Sequence, residues 1–364
     1  MPLIIDAHQD LAWNMLTYGR DYTRSVMETR RLETGSMAVA RNGESTIGWP
    51  EYQRGQVAVI FSTLFAAPAK SKEALDTVWY KDPNTAYRLY RNQIDLYRKL
   101  ADSHPDKFRL ISSTTQLNSV IEHWSTPEQN GEGHPVGLIY LMEGAEGVRS
   151  PHELAEWWDL GLRIIGLAWA GTRFCGGTGE PGPLTAEGRQ LLSAMADHNF
   201  ILDLSHIDEG AAFESLDRYE GPIIATHANC AALMQGASTN RHLPDRVIHG
   251  LIERNGVIGL IPFNTFLKVG WKAASGSRRE EVPLDTLIAH IDHICQLAGN
   301  SLHAGIGSDF DGGFGLQSIP PELDSIADLQ LIGTKLLERG YTESDVANIL
   351  GGNWLRFLRE HLPA

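Results

Sequence analysis

Cysteine is scarce in this chain: Cys175, Cys230 and Cys295 stand far apart among 364 residues. An odd, widely spaced set builds neither a disulfide framework nor a Cys-x-x-Cys metal site, and a reducing compartment is the simpler expectation. Basic residues are also in deficit. Lys and Arg number 31 against 45 Asp and Glu, a formal net charge of −14, which argues against the basic patches that non-specific nucleic-acid or anionic-membrane binding requires. No uncharged apolar run reaches the ~20 residues of a membrane span. The N-terminus runs directly into Leu3-Ile4-Ile5-Asp6 without a basic, then apolar, leader, and the C-terminus has no hydrophobic tail. These absences predict a cytoplasmic protein with a small-molecule partner, and neither a nucleic-acid nor a membrane partner.

What the chain does have is 42% hydrophobic residues, enough for one large core, and residues 1–364 read as one domain. Short apolar runs rich in β-branched residues, bounded by Gly, Pro or Asn, predict strands at 3–8, 57–65, 136–143, 162–169, 200–206, 222–227, 257–264 and 303–309. Amphipathic spacing predicts helices at 77–101, 114–124, 151–160, 185–198, 209–218, 244–253, 284–297, 326–339 and 343–359. Eight alternations of strand and helix predict an α/β fold of the (β/α)8 TIM-like type, with its site at the C-terminal strand ends. Two stretches, 17–54 and 171–183, are too long for ordinary βα loops and are expected to wall or cover that site. Residues 273–281 read as a polar, charged loop.

Five short patterns follow these apolar runs: His8-Gln9-Asp10, Glu143-Gly144, Asp203-Leu204-Ser205-His206, Thr226-His227-Ala228-Asn229 and Gly307-Ser308-Asp309-Phe310-Asp311. Three His, two Asp and one Glu delivered from different strand ends to one mouth can hold two divalent cations and activate a water between them. His8 and Asp10, two apart, would project to one side of a strand; alone, the pair is equally a capped strand end. Glu143 closes a buried strand, where a bridging place between cations would neutralise it. His206 and His227 come from adjacent strands, so that what would singly be core histidines read together as ligands, and Asp203 and Ser205 would orient the rings. Asp309 has the place of a proton shuttle, whereas Asp311, two residues on, is expected only to cap the next segment. Glu146 reads as a surface or supporting residue. His104, His123, His134, His249, His290 and His293 fall in helical or loop patterns and are expected at the surface. From spacing alone Arg241 is a solvent-facing Arg.

With these residues in view, the chain resembles the membrane (renal) dipeptidases and their bacterial zinc-dependent relatives, an amidohydrolase-type barrel family. The similarity runs from Asp6-Ala7-His8-Gln9-Asp10 to Gly307-Ser308-Asp309-Phe310-Asp311-Gly312. Its most specific block is Leu202-Asp203-Leu204-Ser205-His206, Thr226-His227-Ala228-Asn229 and Arg241-His242-Leu243-Pro244-Asp245. The resemblance implies two Zn2+, with other divalent cations as alternatives: His8 and Asp10 on one, His206 and His227 on the other, Glu143 between them. It implies that Asp309 is the catalytic carboxylate, that Arg241 binds the substrate carboxylate, and that the protein is a dipeptidase, in many relatives a homodimer. Two positions depart from the family pattern. Leu167-Ala168-Trp169 stands where a Leu-Thr-His motif is usual, and an indole donates one hydrogen bond but takes no positive charge. Asn264 stands where the eukaryotic enzymes tend to have Tyr. Trp169 and Asn264 are thus expected in the substrate pocket with a changed specificity, which leaves open hydrolysis of another amide, an N-acyl amino acid or a lactone, or a zinc-retaining protein that binds without turnover.

Overall fold

Each of the eight apolar runs contains a strand, and all eight strands pair in parallel. Their spatial order is Ile258–Leu260, Ala304–Ile306, Ile4–Gln9, Val57–Leu64, Val136–Glu143, Leu162–Gly166, Ile201–Asp203 and Ile223–Ile224. A parallel bridge between Ala225 and Ile258 joins the last to the first, so that the sheet nearly closes into a barrel. Every residue of these strands is buried, as expected where helices cover the outer face and side chains fill the inner one. The computed structural model describes residues 1–71, 77–126 and 133–364.

Six of the eight strands end before their apolar runs do, and for the two that lead to His206 and Asp309 the reason is conformational. His206 and Asp309 have φ of 65° and 54°, a left-handed backbone that no strand accommodates and that costs a non-glycine residue about 1–3 kcal/mol. The chain leaves the sheet just where it presents these side chains. On the first strand the register against the second shifts between Asp6 and Gln9, so a bulge-like irregularity lies in the segment that holds His8, and Asp10 falls outside the strand, at the N-cap of helix Leu11–Tyr18. The simple alternation expected for His8 and Asp10 is thereby replaced by an irregularity of the kind that re-aims side chains.

A short strand, Phe108–Ile111, was not expected. It pairs with Val136–Ile139, the part of the third barrel strand that precedes its pairing with Leu162–Gly166. The helix expected from 77 instead spans Pro83–Ser103, because Asp82 caps it through Thr85 N (2.8 Å) and Pro83 begins it, while Trp79–Tyr80 pairs with Ala67–Pro68. Its buried residues Ala86, Tyr90, Gln93, Ile94, Tyr97 and Leu100 keep helical spacing. The expected terminal helix is broken into Glu343–Ala347, a wide turn at Asn348–Gly352, and Asn353–His361. From the last piece Trp354 donates to Ile306 O (3.0 Å), and Asn353 to Ala304 O (2.8 Å). A Cβ on Gly305 would lie 2.4 Å from the Trp354 ring, so only glycine permits this seat for the strand that carries Asp309.

The stretch 17–54 is not a loop. It holds the short helices Val26–Glu33, Met37–Asn42 and Trp49–Gly55, the first two capped by Ser25 and Ser36. His290 is likewise not at the surface. It lies on the inner face of helix Leu284–Ala298, 1% exposed, where Nδ1 accepts from Cys230 N at 3.1 Å. Burial, and secondarily the charge of His293, pushes its pKa down from 6.5 to about 4. The unfolded chain then takes up the proton more readily than the folded one, so stability is full above pH 6.5 and falls as pH drops from about 6.5 towards 4. The shift corresponds to roughly 3 kcal/mol at most. Urea unfolding between pH 7 and 4.5 should show a loss that shrinks in His290→Gln; an equal loss in both proteins would remove His290 as its source. Cys175, Cys230 and Cys295 are all buried free thiols.

Candidate metal centre and active site

Glu143 ends its strand inside the barrel mouth, and its two oxygens face different imidazoles. Oε1 lies 3.2 Å from His206 Nε2 and 3.4 Å from His227 Nε2, and Oε2 lies 3.6 Å from His8 Nε2. His206 Nε2 and His227 Nε2 are 2.9 Å apart, and the His8 and His227 rings have centroids 3.6 Å apart. Ligand atoms of His8, Asp10 and Asp309 also lie within 4.8 Å of one another, as do those of His8, Glu143 and His227. All of these side chains are buried. The six residues that the sequence offered for metal and proton chemistry therefore meet in one place.

Hydrogen bonds outside the cluster fix the rings. Thr226 Oγ1 donates to Asp203 Oδ2 (2.6 Å), which leaves it to accept from His227 Nδ1 (2.9 Å) and turns the His227 Nε2 lone pair inward. Asp203 thus acts on the ring through Thr226. It also accepts from the backbone N–H groups of Ser205 and Thr226, while Ser205 Oγ accepts from His227 N. His206 Nδ1 meets Thr178 Oγ1 at 2.9 Å, a contact from the stretch 171–183. Asp10 accepts from Thr63. Gly307 lets the Asp309 strand pass close to its neighbour, since a Cβ there would sit 1.8 Å from Thr226 O.

The charge balance favours cations. Both ring nitrogens of His8 are buried without a hydrogen-bond partner, a costly state for a polar group that metal ligation relieves. Burial pushes His206 down to about 4 and His227 well below 6.5, aided by neighbouring positive charge; neutral imidazole is the ligating form. Burial, then the Glu143 charge, raises Asp10 to about 6. Asp309 is raised well above its ordinary value, first by burial and then by Asp10 and Glu143 against the opposing pull of His8. Burial opposes charge on His8 too, yet Glu143, Asp309 and Asp10 lift it to about 10. Three buried carboxylates with two neutral imidazoles form a donor set that fits divalent cations.

A cavity of about 330 Å³ opens over this cluster. Arg241 lines it rather than facing solvent: it is 2% exposed, Nη2 donates to His227 O (2.7 Å), and Nε and Nη1 have no partner. Trp169 stands on the wall, its ring 6.1 Å from that of His206. Asn264 does not reach the cavity. It is fully buried with Nδ2 donating to Ile319 O (3.2 Å), and Phe263 and Phe266 line the wall on either side of it. The stretch 17–54 contributes Arg41 and Asn42 to the wall, and 171–183 contributes Thr178.

Asp311, two residues past Asp309, has partners that the sequence did not reveal. It is fully buried and accepts from Thr46 N and Oγ1 (2.8 and 2.9 Å) and Ser45 Oγ (2.8 Å), and it pairs with Arg20 Nη1 at 3.0 Å. Its own carbonyl accepts from Asn14 and Asn42. Far from capping the next segment, it ties the stretch after the first strand to the Asp309 turn.

The membrane dipeptidase family profile, that of peptidase family M19, matches residues 1–362. The chain belongs to this family, and its enzyme class is metal-dependent dipeptidase. A protein encoded 5′ of pqqA in Klebsiella pneumoniae is 31% identical over 287 residues, covering 76% of this chain and 97% of that one. A Schizosaccharomyces pombe protein named as a dipeptidase is 27% identical over 276 residues, or 72% of this chain and 60% of its own length. Among solved structures, a Rhodobacter sphaeroides metallopeptidase liganded with a phosphinate mimic of L-Ala-D-Ala superposes with TM-score 0.76 at 22% identity, over 99% of each chain, and shares the fold. Among the described residues no helix is long and apolar enough to cross a membrane.

Proposed function

We propose that the chain, as one catalytic domain, hydrolyses the amide bond of dipeptides in the cytoplasm with two zinc ions. His8 and Asp10 would hold one, His206 and His227 the other, and Glu143 both. The observation that carries the reading is Arg241: a buried guanidinium with two unpaired donor atoms opens into the same cavity as the carboxylate–imidazole cluster. Burial lowers its pKa to about 10, so it is charged at neutral pH and matches a substrate carboxylate. Bound cations supply Lewis acidity towards the scissile carbonyl and activate the attacking water. Arg241 clamps the carboxylate and so fixes the scissile bond against Glu143 and Asp309. Asp309 accepts the proton released by the nucleophile and delivers it to the departing amine. The burial of these side chains strengthens each of these charge interactions.

Amine release from a panel of L,L and L,D dipeptides, by zinc-loaded protein and by its chelated form, tests the proposal. Zinc-dependent release is expected. Because Trp169 reshapes the wall beside His206, N-acyl amino acids and lactones belong in the same panel. Turnover of those alone would replace the dipeptide reading, and ligand binding without any turnover would leave a binding protein.

A further inference from the structure

The cavity walls are aromatic to a degree that metal binding and carboxylate capture do not require. Phe263 and Phe314 stack at 4.1 Å with planes 10° apart, and Phe263 meets Phe266 edge to face at 4.8 Å. The Arg241 guanidinium lies 5.3 Å from the Phe266 ring centre. All three phenylalanines line the cavity. A substrate carboxylate held by Arg241 therefore places the Cα that bears it, and the side chain on that Cα, beside this cluster. Trp13, Phe65 and Trp169 also line the cavity, in edge-to-face contacts of 6.4 and 5.2 Å. The position of Phe65 is fixed by the Gln93 side chain, which bonds both its N–H and its carbonyl (3.0 and 2.6 Å).

We infer, resting on the dipeptidase reading, that the Phe263–Phe266–Phe314 cluster is a subsite for a bulky apolar or aromatic C-terminal residue of the substrate. Phe263 touches both Phe266 and Phe314, so a ring or branched chain laid against the cavity face of the cluster loses water without reorganising its surroundings. Rigid apolar walls of this kind select by buried area. A glycine at the substrate's C-terminal position leaves the cluster uncovered. An acidic side chain would be desolvated there among apolar rings.

The test compares zinc-loaded protein on Ala-Phe, Ala-Gly and Ala-Asp, each with an L and a D C-terminal residue. The value of kcat/KM for the better Ala-Phe isomer should exceed that for Ala-Gly by about tenfold or more, mostly in KM. In the double variant Phe263→Ala/Phe314→Ala that ratio should fall to within about twofold of unity. Because it is measured within one preparation, partial misfolding cancels; Phe263→Leu, which keeps an apolar wall, should retain part of the preference. Preference for glycine or aspartate, or an aromatic preference that survives the double replacement, overturns the inference while the dipeptidase reading stands. Silence on every dipeptide overturns both.

Discussion

Asp309→Asn should lower kcat by about 10²–10⁴, the usual contribution of a positioned acid–base group, with little change in fold or in bound zinc. Asn matches Asp in size and is one of the few residues that tolerates a left-handed backbone, which position 309 adopts at φ 54°. The turn and its Asp309 N to His8 O bond (3.2 Å) are therefore kept. An amide cannot accept and return a proton. The wild-type carboxyl is suited to that exchange because burial and the charges of Asp10 and Glu143 raise its proton affinity. Single-turnover kinetics on Ala-Phe with metal content measured in parallel would check this. A rate within about threefold of wild type would deny Asp309 the shuttle role, and a loss matched by loss of zinc would make it a ligand instead.

The parts of the molecule that could be read in the sequence are those fixed by neighbours along the chain. Eight buried runs betray the barrel strands, and a polar residue ending such a run betrays a group turned into the mouth, which is how His206, His227 and Glu143 stand out. Where the outcome depends on distant partners the signal fades. The ends of the strands that lead to His206 and Asp309 could not be placed, because the left-handed turns at these residues exist only once the barrel imposes them. His290 was legible in principle, since its spacing with Leu287, Ile291 and Ile294 puts it on the buried face. Its partner Cys230, sixty residues upstream, has no local signature. Asn264 follows the strand that feeds the pocket, yet the short turn Asn264–Phe266 aims its neighbours, not itself, at the cavity. The helices between 17 and 54 are short; the serine caps Ser25 and Ser36 mark the first two, and Pro50 in its first turn marks the third.

Asp311 shows the same limit most sharply, and it carries the second large effect. Its partners Arg20, Ser45 and Thr46 lie more than 260 residues away in sequence, so nothing adjacent to Gly307-Ser308-Asp309-Phe310-Asp311 announces them. In the fold it satisfies three hydroxyls, of Tyr22, Ser45 and Thr46, one backbone N–H and one guanidinium with a single carboxylate, entirely out of water. Asp311→Asn keeps the shape but turns an amide N–H₂ towards donors: with Oδ1 facing Thr46, the nitrogen must face Ser45 and Arg20. Removing one partner of a buried ion pair costs about 3–5 kcal/mol, and the remaining Arg20 contacts with Glu33 (2.9 and 3.0 Å) offset only part of this. Urea unfolding should therefore show a lower midpoint at unchanged slope. Because the Asp311 carbonyl also holds Asn42 on the cavity wall, KM for a dipeptide should rise before kcat falls. A midpoint shift worth less than about 1 kcal/mol, the range of an exposed ion pair, would mean that the stretch from 17 to 54 is held by its packing, and that the Arg20–Asp311 bond follows from that packing.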